Sequence, residues 1–550
     1  MIKKIFFVFL LYSVTTFAQN DYVRIDNNVY QFLERMEALH IINDYNSFEI
    51  PKPRKEITHY LKEIIQNESK LDKIDQQILE DLKIEFEFDL YGTLNNSQSY
   101  VDSSYNIFSQ KAKYFYSYIK PEKFNLFVNL LGEGEIIAQN NFESKNNLST
   151  MLGVIGGEIR GSFLDEFGFS IRVTNGDVFG DKEVAKLRPD IQYNFKFNEK
   201  QSQSFFDQTE GYMTADFKYL KLKLGRDRMM IGYGPIKSII DDNSPEFDYI
   251  GMNIDFHFFH FSYFHGKLLG DTYFQSDSIN GGIDVVGEKY IGYHRISVDF
   301  SKEFTFSAGE MIIYGDRPID LSYLNPFAFY KSVEHANQDR DNSFLFFDAV
   351  DRSILGLKIY STLLIDDLDF GKLGTGWYGN QTLFDIGIFS SNLYEIIPMD
   401  FGIEFTKIDP YVHTHRTSNS NFTNFGYNLG SILKPNSEML NLSINYRFTY
   451  RLTFAGNYSY ILHGANPVKP DGTIINIGGD EALGHRTFDA LGARILNGDL
   501  EYSRIFTGLL SYEPYKQYFV SLKLVYYNES LQNSVNNNQL QTYFTVCVKL

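Results

Sequence analysis

Short runs in which apolar and polar residues alternate recur along most of this 550-residue chain. In one such run, Ile155 and Ile159 alternate with Glu158 and Arg160. Because successive side chains on a β-strand point to opposite faces, each run predicts a strand with one apolar and one polar face. The runs are about 9 to 11 residues long, which is the length that a tilted strand needs to cross the hydrocarbon core of a membrane.

Two classes of protein fit this pattern. In a secreted all-β protein the polar faces would meet solvent, whereas in an outer-membrane barrel they line a wet lumen and the apolar faces meet lipid. The alternation persists to the last residue, as a closing strand requires, and the 39 Tyr and 50 Phe cluster near strand ends. We therefore predict an all-β membrane protein, a large antiparallel outer-membrane β-barrel over residues 86–550. At about 25 residues per strand and connection, it would have roughly 18 strands.

The first residues have the features of an export signal. Lys3 and Lys4 precede the apolar run Ile5–Tyr12, and Thr16-Phe17-Ala18 is a small-x-small cleavage site. Residues 1–18 are therefore predicted to be a signal peptide, with the mature chain beginning near Gln19. The alternative, a transmembrane anchor, needs about 20 apolar residues, more than this run supplies.

Residues 19–85 have a different period. Val29, Phe32, Leu33 and Met36 fall on one face of a helix, and two further stripes of this kind follow within residues 57–82. Three short amphipathic helices must bury these stripes. We predict a small helical bundle that packs against the barrel, and a small independent domain is the alternative.

Charge and cysteine content exclude several functions. The formal net charge is -18, and an acidic chain of this kind lacks the clustered Lys and Arg that nucleic-acid binding needs. The single cysteine, Cys547, can form neither an internal disulfide nor a cysteine-based zinc site.

The segment Tyr293–Asn342 stands out within the predicted barrel. Its first half alternates as a hairpin around the polar turn Ser301-Lys302-Glu303. Its second half places many polar side chains among Tyr and Phe. We expect this second half to fold into or over the lumen, where its polar groups either pair with one another or bind a polar ligand.

An ordered series of motifs runs through nearly the whole mature chain. In chain order the motifs are the helical stretch 32–42, Pro53-Arg54, Gly225-Arg226-Asp227, Gly232-Tyr233-Gly234-Pro235, Asp242-Asn243-Ser244-Pro245, His294-Arg295, Glu310, Tyr314-Gly315, Tyr323-Leu324-Asn325-Pro326, Asp341-Asn342, Asp366-Asp367 and Tyr411-x-His413. This series resembles the capsule assembly protein Wzi family, outer-membrane barrels that bind surface polysaccharide. The chain departs from the family pattern at Tyr233, where the family has Trp, and at Ile236, where it has Gly.

The resemblance implies an antiparallel barrel of about 18 strands with a helical bundle near its periplasmic end. It also implies a lectin-like, non-enzymatic protein that holds capsular or exopolysaccharide at the cell surface, with outer-membrane lipid and the polysaccharide export machinery as further candidate partners. Aromatic faces and Asp or Asn side chains suit sugar recognition, because a satisfied polar group discriminates strongly. On this basis the predicted ligand contacts are Tyr314, Asp316, Tyr323, Asn325, Asp341 and Asn342.

A purely structural role is the alternative for each of these polar residues. Arg295, Glu310 and Arg317 are predicted to form a network in the lumen that holds the segment in place. The pairs considered are Glu310 with Arg295 or Arg317, and Asp341 with Arg340.

Other chemistry is weakly indicated, and we predict neither a cofactor nor a metal. His257 and His265 share a strand face that His260 does not, while His413 and His415 have chelating spacing but no evident third ligand. Calcium at the acidic loops is a weaker alternative.

The Gly374–Gly379 stretch matches G-x-G-x-x-G but lacks the strand–helix unit, so it predicts a hairpin turn. Asp241-Asp242 and Asp366-Asp367 cannot flank a sugar as adjacent strand residues, since neighbours point to opposite faces. Two rival functions stay open, a porin-like diffusion channel and a barrel-borne polysaccharide hydrolase.

Overall fold

Eighteen long antiparallel strands dominate the computed structural model of this chain. It describes residues 19–550 apart from 102–104, 121–122, 165, 195–203, 280, 339, 393–397 and 532–535. The strands are β1 (Phe124–Asn141), β2 (Asn146–Phe163), β3 (Phe167–Gly180), β4 (Phe205–Phe217), β5 (Leu220–Asp227), β6 (Phe247–Phe256), β7 (Phe259–Gln275), β8 (Ile283–Asp299), β9 (Phe304–Gly315), β10 (Asn342–Asp351), β11 (Leu357–Asp367), β12 (Gln381–Ser390), β13 (Met399–Ile408), β14 (Ser437–Arg447), β15 (Leu452–Ala465), β16 (Asp499–Tyr512), β17 (Tyr518–Leu531) and β18 (Asn537–Lys549).

Each strand pairs with its neighbours in sequence, and β18 closes the barrel by pairing with β1 from Gln539↔Asn141 to Lys549↔Leu131. The short strand Tyr116–Lys120 pairs with the beginning of β1, beyond the end of β18. Closure leaves no long unpaired edge, which is the condition for a sheet to stand in lipid. The predicted large antiparallel barrel of about 18 strands is confirmed.

The two faces of the wall differ as the alternation predicts. Met213, Leu224 and Ile250 lie side by side across β4, β5 and β6, and each is between 46% and 62% exposed on the outer face. The polar residues of the same wall, such as Glu158 and Arg160, are buried on the lumen side. The outer surface is therefore an apolar belt, and polar pairs face inward.

The two ends of the barrel carry different connections. At one end the turns are short, as at residues 257–258 and 300–303. Longer connections lie at the other end, which is the extracellular end in outer-membrane barrels. These longer connections are residues 181–204, 228–246, 316–341, 409–436 and 466–498.

In the described residues before the barrel, four α-helices are present: α1 (Val29–Ala38), α2 (Arg54–Gln66), α3 (Lys73–Glu85) and α4 (Glu87–Tyr91). Their apolar stripes pack together in one buried cluster. The helical part therefore extends beyond residue 85, and the long strands begin at Phe124 rather than at residue 86. The predicted barrel began too early, because the described residues between α4 and β1 form short strands such as Ser97–Ser99 and Ala112–Tyr114.

The helical bundle is bound to the short-turn end of the barrel. The amide of Gly356, in the turn between β10 and β11, donates to the carbonyl of Ala38 at 2.8 Å. Arg352 in the same turn donates to the Glu37 carboxylate at 2.5 Å, and Lys358 pairs with Glu34. Carboxylates on α1 thus meet buried cations of the wall, so the bundle packs against the barrel.

The lumen beside β6–β14 is filled by apolar side chains. Phe48, from the chain between α1 and α2, contacts Tyr233 with ring centroids 4.9 Å apart, and Ile231 pairs with Glu49 as a short strand. The connections 228–246 and 409–436 therefore reach into the barrel and meet the helical segment there. On the opposite side, residues 181–194 enter the lumen through α5 (Lys182–Ala185) and α6 (Pro189–Gln192).

Among the described residues, no helix has the length and apolar character needed to cross a membrane.

Candidate ligand-binding regions

The connection between β9 and β10, residues 316–341, does not enter the lumen. His265, Gly292, Ile312 and Ser343 continue the cross-strand row of the exposed outer residue Ile250, so they point outward. These outward positions are covered by α7 (Leu321–Leu324) and α8 (Tyr330–Ala336). We call residues 316–341 the flap, because they lie on the outer wall of the barrel over β7–β10. The expectation that this segment folds into or over the lumen was wrong.

Polar and aromatic contacts bind the flap to the wall. The Tyr263 hydroxyl donates to the carbonyl of Leu324 at 2.7 Å. The Glu310 carboxylate accepts a hydrogen bond from the Tyr330 amide at 2.9 Å, at the beginning of α8. Above these contacts, Tyr290, Tyr314, Tyr323 and Tyr330 pack in one buried cluster.

Four of the six predicted ligand contacts are buried: Tyr314, Tyr323 and Asp341 by the flap, and Asn342 in the lumen. Tyr314 lies beneath the flap, and Tyr323 is on the wall-facing side of the flap, where its hydroxyl donates to Asp341 at 2.8 Å. Asn342 is buried on the lumen side, where its amide donates to the carbonyl of Thr414 at 3.3 Å.

The other two predicted contacts are exposed. Asp316 accepts a hydrogen bond from the Asn419 side chain at 2.6 Å, and Asn325 caps the Phe327 amide at 3.2 Å. Of the predicted set, only Asp316 and Asn325 are open to a ligand without a rearrangement, and sugar contact by them stays a prediction.

The predicted lumen network is divided between two sides of the wall. Arg295 does face the lumen, where it makes a two-point salt bridge to Asp348 at 2.7 and 2.8 Å. Glu310 lies outside, under the flap, and Arg317 belongs to the flap itself, so their assignment to the lumen was wrong.

The charged partners also differ from those considered. Glu310 pairs with His294 at 3.0 Å, and Arg317 binds both oxygens of Asp341 at 2.7 Å. Neighbouring residues on a strand point to opposite faces, so a difference of one residue moves a side chain from the lumen to the outer wall. Glu310 is paired with His294 on the outer face, whereas Arg295, the next residue, points into the lumen.

Two connections at the extracellular end form a cluster that the sequence did not single out. Backbone hydrogen bonds join residues 368–380 to residues 484–498, from Tyr378 to Leu491 at 3.0 Å and from Ala493 to Gly376 at 2.7 Å. The rim cluster, as we call it, consists of Lys372, Trp377, Tyr378, His485, Arg486, Phe488 and Asp489.

Aromatic rings and charges alternate within the rim cluster. The rings of Tyr378 and His485 stack with centroids 3.5 Å apart, and the Lys372 ammonium lies 3.7 Å from the centre of the Trp377 ring. Phe488 is 77% exposed and its ring lies 4.6 Å from the Arg486 guanidinium. Such exposed rings beside charges are a surface that can hold a polar ligand with apolar faces.

The charged pair of the rim cluster is held in a fixed geometry. Arg486 donates to Asp489 at 2.9 and 3.0 Å, and the amide of Asn476 also donates to Asp489 at 2.9 Å. Partial burial raises the pKa of Asp489, but hydrogen bonds with Arg486 and Asn476 outweigh this effect and keep that pKa below its usual range. Asp489 is therefore an ionised acceptor at neutral pH.

The sequence contained one usable signal for this region. Trp377 is the only tryptophan, and it lies within the glycine-rich stretch Gly374–Gly379. That stretch does connect the paired strands β11 and β12, as predicted for a hairpin turn. Its partner, residues 484–498, carries no comparable signal, because only the tertiary structure brings the two connections together.

The histidines considered as metal ligands have other neighbours. His413 is fully buried and its ring stacks on Phe422 with centroids 4.4 Å apart, whereas His415 lies near Thr417. His260 lies between Asp255 and Asp299, at 3.0 Å from each. Within the part of the chain that the structure describes, no three His, Cys, Asp or Glu side chains are grouped as a metal site would require.

Comparisons with known proteins give structural matches only. No protein-family model and no curated protein sequence matches the chain. Wzi of Escherichia coli, described as an outer-membrane protein involved in group 1 capsule assembly and a carbohydrate-binding β-barrel, matches with a TM-score of 0.57. The match covers 96% of this chain and 99% of Wzi at 13% sequence identity. This chain has the Wzi fold.

Several porins match less well. OccK8 (OprE) of Pseudomonas aeruginosa has a TM-score of 0.45 at 11% identity, over 77% of this chain and 98% of the porin. OccAB4 of Acinetobacter baumannii has a TM-score of 0.44 at 9% identity, over the same shares. The Wzi match extends over the helical segment and the barrel together, since it covers nearly the whole chain. A closed barrel with an apolar exterior and this fold is an outer-membrane protein.

Proposed function

We propose that this chain binds a surface polysaccharide at its extracellular end without turning it over, and so helps to assemble or anchor capsular or exopolysaccharide. The likeness to Wzi, a carbohydrate-binding barrel, supports the ligand class. The observation that carries the proposal is the rim cluster, which presents the exposed Phe488 ring beside the Arg486–Asp489 pair. Sugars have apolar C–H faces and hydroxyls, and these two kinds of group match them.

The filled lumen favours a binding role over a diffusion channel. Phe48, Tyr233 and Phe346 close the space beside β6–β14, and Arg188 of the inward-folded residues 181–194 pairs with Glu133 at 2.5 Å. In planar bilayers we expect small and irregular conductance. Steady porin-like conductance of the purified chain would favour the channel instead.

Binding is tested with purified polysaccharide from the same cell surface. We expect Phe488→Ala and Arg486→Gln each to weaken binding by about tenfold, equivalent to about 1.4 kcal/mol. Phe300→Ala is the matched control, because this exposed phenylalanine lies in a short turn at the opposite end. Unchanged affinity in both rim variants, with the barrel folded, would contradict the proposed site.

Deletion of the gene tests the role in the cell. We expect polymer synthesis to continue and the polymer to appear in the medium instead of on the cell. The helical bundle at the short-turn end is the part that a component of the export machinery would contact. If the amount of cell-bound polysaccharide is unchanged after deletion, the proposed role is wrong.

A hydrolase is the remaining rival. Purified chain incubated with the same polysaccharide should release no shorter products over hours. Glu310 is a poor target for a control variant because its carboxylate lies under the flap, so rim carboxylates such as Asp489 are the better targets should products appear.

A further inference from the structure

We infer that the flap is a membrane-contacting element whose outward face is covered by the acyl chains of outer-leaflet lipid. The flap lies on the outer wall over β7–β10, while the connections 181–194 and 228–246 fold inward. It therefore occupies a position that lipid takes elsewhere around the barrel. This inference does not depend on polysaccharide binding.

The apolar belt borders the flap on the adjoining strands. Ile250 is 46% exposed on β6 and shares a cross-strand row with His265, which the flap covers. On the other side of the covered patch, Ile296 and Phe306 are again exposed on the outer face of β8 and β9. The flap, which covers this part of the wall, is thus bordered by lipid-facing residues.

The outward surface of the flap has the character of that belt. Leu321 and Phe327 are 78% and 72% exposed, and Ile319 and Phe329 are more than half exposed. Large apolar side chains exposed together mark a surface that is covered in the native setting. Because the adjoining wall contacts lipid, acyl chains are the partner that fits.

The inner surface of the flap explains why the wall beneath it is polar. His294 pairs with Glu310, and Ser343 donates to Glu334 of α8. The Tyr314 hydroxyl lies 2.8 Å from His265. Left uncovered, these groups would face hydrocarbon, where unpaired polar groups are costly. The flap covers these groups and turns apolar side chains outward instead.

The flap is amphipathic, with one face towards the wall and the other away from it. Its wall-facing residues, such as Tyr323, Tyr330 and Glu334, are buried, and its large exposed side chains between residues 319 and 329 are apolar. Amphipathic segments that lie on a membrane rest at the boundary of headgroups and acyl chains. The flap begins at the extracellular end of β9, so the lipid that it meets belongs to the outer leaflet.

Quenching by brominated lipid tests the inference directly. The full chain carries Trp377→Phe, which removes its only tryptophan, together with Phe327→Trp as the reporter. It is refolded into phosphatidylcholine vesicles whose acyl chains are brominated. We expect blue-shifted emission that is quenched roughly twofold or more relative to vesicles without bromine, as for a ring at the acyl boundary.

Two reference positions calibrate the measurement. Phe306→Trp, on the outer belt, should be quenched, and Asp471→Trp, in the extracellular connection 466–498, should not. Phe329→Trp serves as a second flap reporter if Phe327→Trp fails to fold.

A flap reporter with water-like, unquenched emission would overturn the inference. So would an unquenched but blue-shifted reporter in a chain that sediments as a dimer, since a second copy would then cover the face.

Discussion

Arg295 is a deeply buried cation of the lumen, with 1% of its side chain exposed. Asp348 binds it at two points, Ser307 accepts a third hydrogen bond at 2.8 Å, and its guanidinium lies 4.1 Å from the centre of the Phe48 ring. A buried charge held in this way depends on its partner, because removal of either one leaves an uncompensated ion.

Replacing Arg295 with Ala should lower the free energy of unfolding by about 3–5 kcal/mol, since Asp348 would remain charged and unpaired. Urea unfolding in phospholipid vesicles measures this change. Arg226→Ala is the matched control: Arg226 pairs with Asp248 on the surface, where such a pair contributes about 0–1 kcal/mol. A small loss in Arg295→Ala, comparable to that of the control, would argue against a desolvated pair.

His413 is a histidine that the folded protein keeps unprotonated. Burial lowers its pKa to about 3. Its backbone amide donates to Asp366 at 2.8 Å, and its ring packs on Phe422. The folded state therefore keeps this imidazole neutral, while the unfolded chain takes up a proton as the pH falls below about 6.5.

The free energy of unfolding should therefore fall as the pH is lowered from 6.5 towards 3. At pH 5 the contribution of His413 to this loss is about 2 kcal/mol relative to neutral pH. His413→Asn should show a shallower dependence over this range, measured as unfolding midpoints at several pH values. His257→Asn, in an exposed turn, should follow the unaltered chain. Equal slopes in all three would contradict a buried neutral imidazole.

Among the elements, the segment between α1 and α2 connects three parts of the molecule. Phe48 packs on Tyr233 of the inward connection 228–246 and, with a centroid distance of 6.5 Å, on Phe346 of β10. Glu49 of the same segment pairs with Ile231. The helical bundle, one extracellular connection and the wall thus share a single apolar core.

Phe48→Ala should lower the free energy of unfolding by about 3–5 kcal/mol, because the cavity lies in a packed lumen. It should also raise single-channel conductance in planar bilayers, since it removes a buried ring from the apolar cluster that fills the lumen. Phe108→Ala, at an exposed ring outside the long strands, is the control. Unaltered conductance together with a lost core contact would show that other residues close the lumen.

Strand and helix positions were accessible to sequence reasoning because each depends on local periodicity. The turn 300–303 and the stripes of α1–α3 lie where the alternation and the helical spacing indicated. The course of residues 316–341 was not accessible in this way. Aromatic residues can be buried against either face of a wall, and the contacts that decide the face, such as Tyr263 with Leu324, are distant in sequence.

At the scale of the whole molecule, the outer belt is what places the chain in a membrane. Ile171 is 50% exposed on the outer face of β3, among other apolar residues of the same face. Its neighbours Ser170 and Arg172 point to the lumen, where Arg172 stands opposite Glu158 and Glu210. The barrel therefore pairs its charged side chains in the lumen and exposes apolar side chains to the lipid.

Ile171→Arg should destabilise the barrel folded in lipid vesicles by about 2–4 kcal/mol, which is the cost of placing a cation at the lipid face. The fraction folded is measured by the heat-modifiable shift in gel mobility. Asn147→Arg, in an exposed position at the extracellular end of β2, should change it little. Equal effects of the two substitutions would mean that Ile171 does not face hydrocarbon.

The sequence by itself determined that this chain forms a closed barrel with an apolar exterior. The alternation that indicates it is a local property of each strand, and it does not depend on which strands are neighbours. It also determined the amphipathic helices before the barrel. Only the tertiary structure decided which connections fill the lumen, which one covers the outer wall, and which two meet in the rim cluster. Those choices depend on contacts between residues far apart in the chain. Local sequence patterns do not show which distant residues will meet.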